Sequence, residues 1–324
     1  MDLPEFFILD VGHGNCALLH DTAGTTVIDC APGATLRETL GQIGVNRISS
    51  VLISHADEDH LGGLVGLLTD PELTIEHVYL NPDANKQTAI WRDVRSALAD
   101  ARRRNETHIH VHLTSELTGS LDIGEVHVEV LAPTPELALG GAGGRDLEGN
   151  RLTSNSMSAV IRLAYRERKV VLLTGDVDGI GLRNLLATAD DVEAEILVYP
   201  HHGGKAGGED PRAFAEALFA HIRPSRIIFS IGRSRVGFPR PDVIESVKAY
   251  APRAHISCTQ LAQECAAEAP TEFPHLANYP ARGRDKNSCC AGTIRIALGT
   301  DQHDDSIAQH QAFVKSLAPT MCTR

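Results

Sequence analysis

No run of about 18 apolar residues occurs in the 324-residue sequence, so no transmembrane helix is expected. The opening Met1-Asp2-Leu3-Pro4-Glu5 lacks a basic leader and passes at once into Phe6-Phe7-Ile8-Leu9, so no secretory signal is expected and a cytoplasmic location is. Basic excess is lacking too. Thirty Lys and Arg against 42 Asp and Glu give a formal charge of −12, which argues against a surface that coats nucleic acid indiscriminately. Cysteine is scarce and odd in number at seven, and Cys16 and Cys30 sit in apolar stretches, which fits reduced buried thiols better than a disulfide framework. Internal repeats and low-complexity tracts are absent.

What is present is an α/β rhythm. Phe6–Val11 reads as a buried strand, Cys16–His20 and Thr25–Asp29 as a hairpin, and Thr35–Gly41 as an amphipathic helix. A strand at 75–80, a helix around Gln87–Arg104, and strands at His108–Leu113 and Val126–Leu131 follow. The later part alternates strands at 159–165, 170–173, 196–199 and 226–231 with helices near 179–187, 211–221 and 241–250. The chain exceeds the roughly 250–300 residues at which single cores stop growing. The expected organisation is an α/β domain over 1–254, with a cysteine-bearing C-terminal extension, 255–324, packed on it.

One stretch concentrates chemistry. After the apolar Val51-Leu52-Ile53 comes Ser54-His55-Ala56-Asp57-Glu58-Asp59-His60-Leu61-Gly62-Gly63, then residues with helical spacing. His55, Asp57, Asp59 and His60 are all metal-ligand types in one strand-to-helix turn, and Gly62-Gly63 permits close backbone approach. Two later strands end alike, in Thr174-Gly175-Asp176 and in Pro200-His201-His202-Gly203. Strand ends are where layered α/β folds gather their chemistry.

Charge is also uneven. Between Pro200 and Arg253 nine Lys and Arg face five acids, and from Arg223 to Arg240 there are five arginines and no acid. That strip, Arg233 and Arg235 in particular, is a candidate phosphate-gripping surface; a solvated basic face is the alternative. His108, His110 and His112 share one face of a period-two stretch, which a polar strand face explains at least as well as a metal. Cys258, Cys265, Cys289 and Cys290 are a candidate structural zinc site, though their spacing is no standard knuckle and buried free thiols are equally consistent.

These motifs, in this order, strongly resemble the metallo-β-lactamase superfamily, and within it the hydrolase domain of the ComEC-type competence proteins and their free-standing relatives. The resemblance rests on Leu9-Asp10-Val11-Gly12-His13-Gly14, Ile28-Asp29-Cys30, the His-x-Asp-x-Asp-His loop, Asn155-x-x-Ser158, Leu173-Thr174-Gly175-Asp176 and Val198-Tyr199-Pro200-His201-His202-Gly203. It implies a four-layer αββα sandwich and two divalent metal ions, zinc or manganese. His55 and Asp57 would hold one ion, Asp59 and His60 the other, with Asp176 bridging and one of His201 and His202, His202 being favoured, completing the second site. His201 would touch substrate or act as an acid, Asp29 would orient a ligand, and Asn155 and His13 would stand near the substrate. The family's third-motif histidine is missing, with Asn155 nearest to it, which leaves the first site oxygen-rich.

The implied reaction is hydrolysis of a phosphodiester, in DNA or a smaller molecule, by a hydroxide bridging the two ions. A phosphoester, lactone or thioester hydrolase of the same fold is the alternative, and a binding or sensing module with a decayed site is a third. The partner expected is nucleic acid or a small phosphodiester, with no membrane; oligomeric state is open.

Overall fold

The computed structural model describes residues 3–104, 106–234, 237–269, 273–299, 303–317 and 319–323. Its first half contains β1 (Glu5–Ile8), β2 (Cys16–Asp21), β3 (Gly24–Cys30), α1 (Thr35–Gln42), β4 (Arg47–Ile53), α2 (Glu58–Leu61), α3 (Leu64–Thr69), β5 (Thr74–Leu80), α4 (Ala89–Arg104) and β6 (His108–His110). Next come β7 (Val126–Ala132), α5 (Pro135–Gly140), β8 (Val160–Tyr165), β9 (Arg168–Leu173), α6 (Gly179–Thr188), β10 (Ile196–Val198), α7 (Pro211–His221), β11 (Arg226–Phe229) and α8 (Pro241–Tyr250). The last elements are β12 (His255–Cys258), β13 (Ile294–Ala297) and α9 (His303–Ser316).

Alternation along the strands builds the layers. In β1, Phe6 and Ile8 face the second sheet, while Phe7 faces α1, α3 and α4 through Leu36, Leu64 and Leu98. In β9, Val171 and Leu173 point inward and Leu172 packs outward with Leu182 of α6, Phe214 of α7 and Val243 of α8. Two sheets therefore meet face to face with helices on both outer faces, the four-layer αββα sandwich. The seven-stranded sheet runs β13-β1-β2-β3-β4-β5-β6, and the six-stranded sheet runs β12-β11-β10-β9-β8-β7. The order matters for the site. β3, β4 and β5 are parallel neighbours, as are β9, β10 and β11, so the loops leaving their C-terminal ends emerge side by side.

Two expectations need revision. The strand expected to reach Leu113 stops at His110. Val111 is 62% exposed, and the Leu113 N–H is taken by the Asn81 side chain at 2.8 Å, so the ladder has nothing to continue it. The stretch 255–324 does more than pack on a finished domain. Its β12 extends the second sheet beside β11, and β13 forms the edge of the first beside β1. Among the described residues, no helix is long and apolar enough to cross a membrane.

Candidate metal centre

Five loops are stitched into one floor. The Asn15 N–H donates to the Asp59 carbonyl at 3.0 Å, and Ala159 donates to Ser54 at 2.9 Å. His201 donates to Gly175 at 3.4 Å, and the Asp176 N–H reaches the Ser158 hydroxyl at 2.9 Å. Glycine permits this closeness. A Cβ at Gly63 would lie 2.5 Å from the Ala31 carbonyl oxygen, so the His55–His60 turn could not pack here with a larger residue.

On that floor Asp59, His60, Asp176 and His202 each offer a ligand atom, all within 4.8 Å of one another. His60 and Asp176 come from the ends of β4 and β9, and His202 from the turn after β10, where His201 and His202 both take left-handed backbone at φ 53° and 54°. Each imidazole is aimed by its far nitrogen. His60 Nδ1–H donates to Asp29 Oδ2 at 2.7 Å, and His202 Nδ1–H donates to the Ser230 carbonyl at 2.7 Å. Asp29 is itself held by the Ser54 N–H at 2.7 Å and the Ser54 hydroxyl at 2.8 Å.

With Nδ1 committed, the neutral rings turn their Nε2 lone pairs onto carboxylate oxygens. His60 Nε2 lies 3.2 Å from Asp176 Oδ1, and His202 Nε2 lies 3.2 Å from Asp59 Oδ2 and 3.6 Å from Asp176 Oδ1. Acceptors facing acceptors repel unless a cation or proton lies between them. His60 Nε2, His202 Nε2 and Asp176 Oδ1 are buried without a hydrogen-bond partner. Ligand atoms about 2.0–2.2 Å from a tetrahedral ion are about 3.3–3.6 Å apart, and three of the six edges, at 3.2, 3.2 and 3.6 Å, lie close to that spacing. Two nitrogens and two carboxylates thus fit a divalent cation.

The electrostatics follow the same geometry. With no ion between them a proton takes that place: burial opposes charge on His60, but Asp176 and Asp29 outweigh it and hold its pKa well above the ordinary value. Burial would raise Asp176 too, yet His60 and His202 keep it well below the usual carboxylate range. Asp59 is shifted the same way, because the nearness of His202 and His60 outweighs its burial.

The remaining candidates are placed around this cluster. His55 is buried beside it, its ring 4.1 Å from that of His60, and its Nε2 has no partner. Burial, then His60, push its pKa down to about 4. Asp57 Oδ2 lies 3.9 Å from His55 Nε2, while Asp57 Oδ1 receives the Lys86 ammonium. His201 Nδ1 is 3.6 Å from Asp176 Oδ2, with Nε2 buried and unpartnered. His13 stands at the rim, 3.4 Å from Asp59 and stacked on Phe238 at 5.5 Å. Asn155 opens the single helical turn Asn155–Met157 that leads to Ser158.

The described arginines of the strip do not gather at this site. The Arg233 guanidinium donates to the carbonyls of Ala262 and Ala266 at 2.8 and 2.9 Å, strapping down the C-terminal segment. Arg240 forks onto Asp242, Arg226 is buried, and Arg235 lies outside the described residues. Three of the four cysteines, Cys258, Cys265 and Cys290, pack in one cluster with Cys322, while Cys289 faces Asp10 at 3.8 Å and Cys290 also approaches His310 at 3.3 Å. Among the described residues their sulfurs do not come close enough together to form a group that could hold an ion. The histidines of β6 pack against His77 and Tyr79 as a ring cluster on the sheet edge.

Sequence reasoning missed Lys86. It lies in a polar loop with no motif of its own. The one available signal is positional: the loop after β5 must emerge beside the loop after its parallel neighbour β4.

A fold with paired sheets and a metal-competent strand-end cluster defines a class of metal-dependent proteins, and the comparisons agree. The profile of the Metallo-beta-lactamase superfamily matches residues 9–207, more than half of the chain, and the protein belongs to that superfamily. No curated protein matches it in sequence. Among solved structures, the fold protein YhfI from Bacillus subtilis is 13% identical, with 79% of this chain and 96% of that chain covered and a TM-score of 0.46. Tm1679, titled a metal-dependent hydrolase of the beta-lactamase superfamily, is 16% identical over 79% and 95% of the two chains at 0.47. The short form of human tRNase Z is 15% identical over 69% and 91% at 0.39.

Proposed function

We propose that this chain is a metal-dependent phosphodiesterase acting on nucleic acid or a smaller phosphodiester. The observation that carries the reading is the repulsive, buried set of His60, His202, Asp59 and Asp176, which only a cation or protons can reconcile. A divalent ion held there would supply Lewis acidity, polarising a phosphoryl oxygen and acidifying water. The chain's own groups divide the remaining work. Asp29 and the Ser230 carbonyl keep the two imidazoles in the tautomer that offers Nε2. His201, neutral because burial lowers its pKa, is placed beside Asp176 to take a proton and return it to the leaving oxygen.

Lys86 shapes the position between His55 and Asp57. Its ammonium already neutralises Asp57, so a second ion there must compete with it, and with one resident dication the three aspartates are balanced. In that state Lys86 offers positive charge to a phosphoryl oxygen as a point donor. Arg233 is tied to carbonyls of the C-terminal segment and Arg240 to Asp242, which favours a short or small phosphodiester over a long duplex lying across that face. The motif resemblance to competence-type hydrolase domains supports phosphodiester chemistry over lactone or thioester hydrolysis.

The test compares wild type with Asp59→Ala on linear DNA, RNA and bis-p-nitrophenyl phosphate, with manganese, zinc or magnesium added. Metal-dependent phosphodiester cleavage that Asp59→Ala abolishes is expected. Turnover that survives chelation or the substitution would remove the mechanism, and cleavage confined to carboxylic esters or lactones would remove the substrate class. Steep loss of binding with salt would mark nucleic acid as the substrate.

A further inference from the structure

A second cationic place lies at the other end of the fold. β9, β10 and β11 run parallel, and the metal-centre residues Asp176, His201 and His202 follow the C-terminal ends of β9 and β10. Arg226 is the first residue of β11, so it sits at the opposite edge of the sheet, a strand's length away. Its side chain is only 6% exposed, and its Nε–H is buried without an acceptor. No carboxylate pairs with it among the described residues, and burial lowers its pKa to about 10. A buried charge without a counter-ion is strongly unfavourable.

The guanidinium borders a cavity of about 190 Å³ shared with His275, Thr293, Arg295 and His310. Water takes up about 30 Å³ per molecule, so this space is large enough for a small polyatomic anion with some hydration. Arg295 is already engaged by Glu5, which leaves Arg226 as the cation to be answered. His275 Nε2–H donates to the Cys290 carbonyl at 2.7 Å, and its Nδ1 is buried with no partner. His310 is occupied at both ring nitrogens, by Cys290 Sγ at 3.3 Å and His255 Nε2 at 3.0 Å. The cavity is therefore lined by a residue bearing a buried positive charge and by a histidine whose buried Nδ1 has no donor.

We propose that this cavity is a binding site for a small oxyanion of the phosphate class that still carries a proton. Its unprotonated oxygens accept from the Arg226 guanidinium, and its P–OH donates to His275 Nδ1. Sulfate would satisfy the arginine alone, because it has no proton to give. The site is independent of the metal centre and of the reaction assigned to it.

Calorimetric titration of inorganic phosphate into the metal-loaded full chain tests this, using wild type, Arg226→Met and Asp59→Asn. The proposal stands if phosphate binding survives Asp59→Asn and weakens about tenfold or more in Arg226→Met, as loss of a charge-assisted hydrogen bond requires. Any other pattern overturns it, including binding that follows Asp59, which would put the phosphate on the metal. A second measurement needs no substitution. The imidazole resonances of His275, followed by NMR across pH, should titrate at higher pH with phosphate present, and an unchanged titration overturns the assignment.

Discussion

Asp29→Asn isolates what one carboxylate contributes to metal affinity. Asp29 takes left-handed backbone at φ 57°, a region that asparagine tolerates as well as aspartate does, so the substitution removes charge without forcing the chain. The carboxylate accepts from three donors: the Ser54 N–H on Oδ1, and the Ser54 hydroxyl and His60 Nδ1–H on Oδ2. Asparagine has one carbonyl oxygen. If it keeps the Ser54 N–H, its amide NH2 meets His60 Nδ1–H donor to donor. The ring then shifts its proton to Nε2 and no longer offers a lone pair to an ion. Loss of such a supporting partner typically costs about 10–100-fold in metal affinity, or ~1.4–2.8 kcal/mol. Competition with a chromogenic chelator reads this directly, and melting of the metal-free protein serves as the folding control. Affinity within about twofold of wild type would refute the idea that Asp29 holds the metal-ready tautomer.

Three further outcomes are expected. Wild type should hold one ion per chain firmly, and Lys86→Met, which frees Asp57, should let a second bind near His55; metal analysis after gel filtration decides it, and two equally tight ions in wild type would remove the role given to Lys86. Burial, then its charged neighbours, push His255 down to about 4 and His310 to about 2, so both are neutral when folded and gain protons on unfolding below about pH 6.5. The unfolded state then binds more protons, so stability should fall as pH drops from about 6.5 toward 4; melting scans should show that slope, and His310→Gln should flatten it. Gly14 has φ 127°, and a Cβ there would come within 2.7 Å of the Ala31 side chain, so Gly14→Ala should destabilise by about 1–3 kcal/mol, and unchanged melting would contradict that reading.

By itself the sequence determined which residue types end which strands. Val51-Leu52-Ile53 before His55–His60, Val171-Leu172-Leu173 before Asp176, and Leu197-Val198 before His202 could be recognised because a buried parallel strand is a short apolar run and its exit is polar. The sandwich follows from that alternation, and so does the gathering of strand ends. Tertiary structure decided which of those side chains meet. Asp59, His60, Asp176 and His202 close to within 4.8 Å, whereas Asp57 turns to Lys86, a residue whose importance comes only from the parallel register of β4 and β5. The arginines show the same limit: consecutive charges share a stretch of chain, but Arg226 lines a cavity, Arg233 donates to carbonyls and Arg240 pairs with Asp242. Local pattern sets a residue's secondary structure through short-range sterics and burial. Its partner is set by contacts distant in the chain, where direction and a few ångströms decide whether a charge meets an ion, a carbonyl or an empty space.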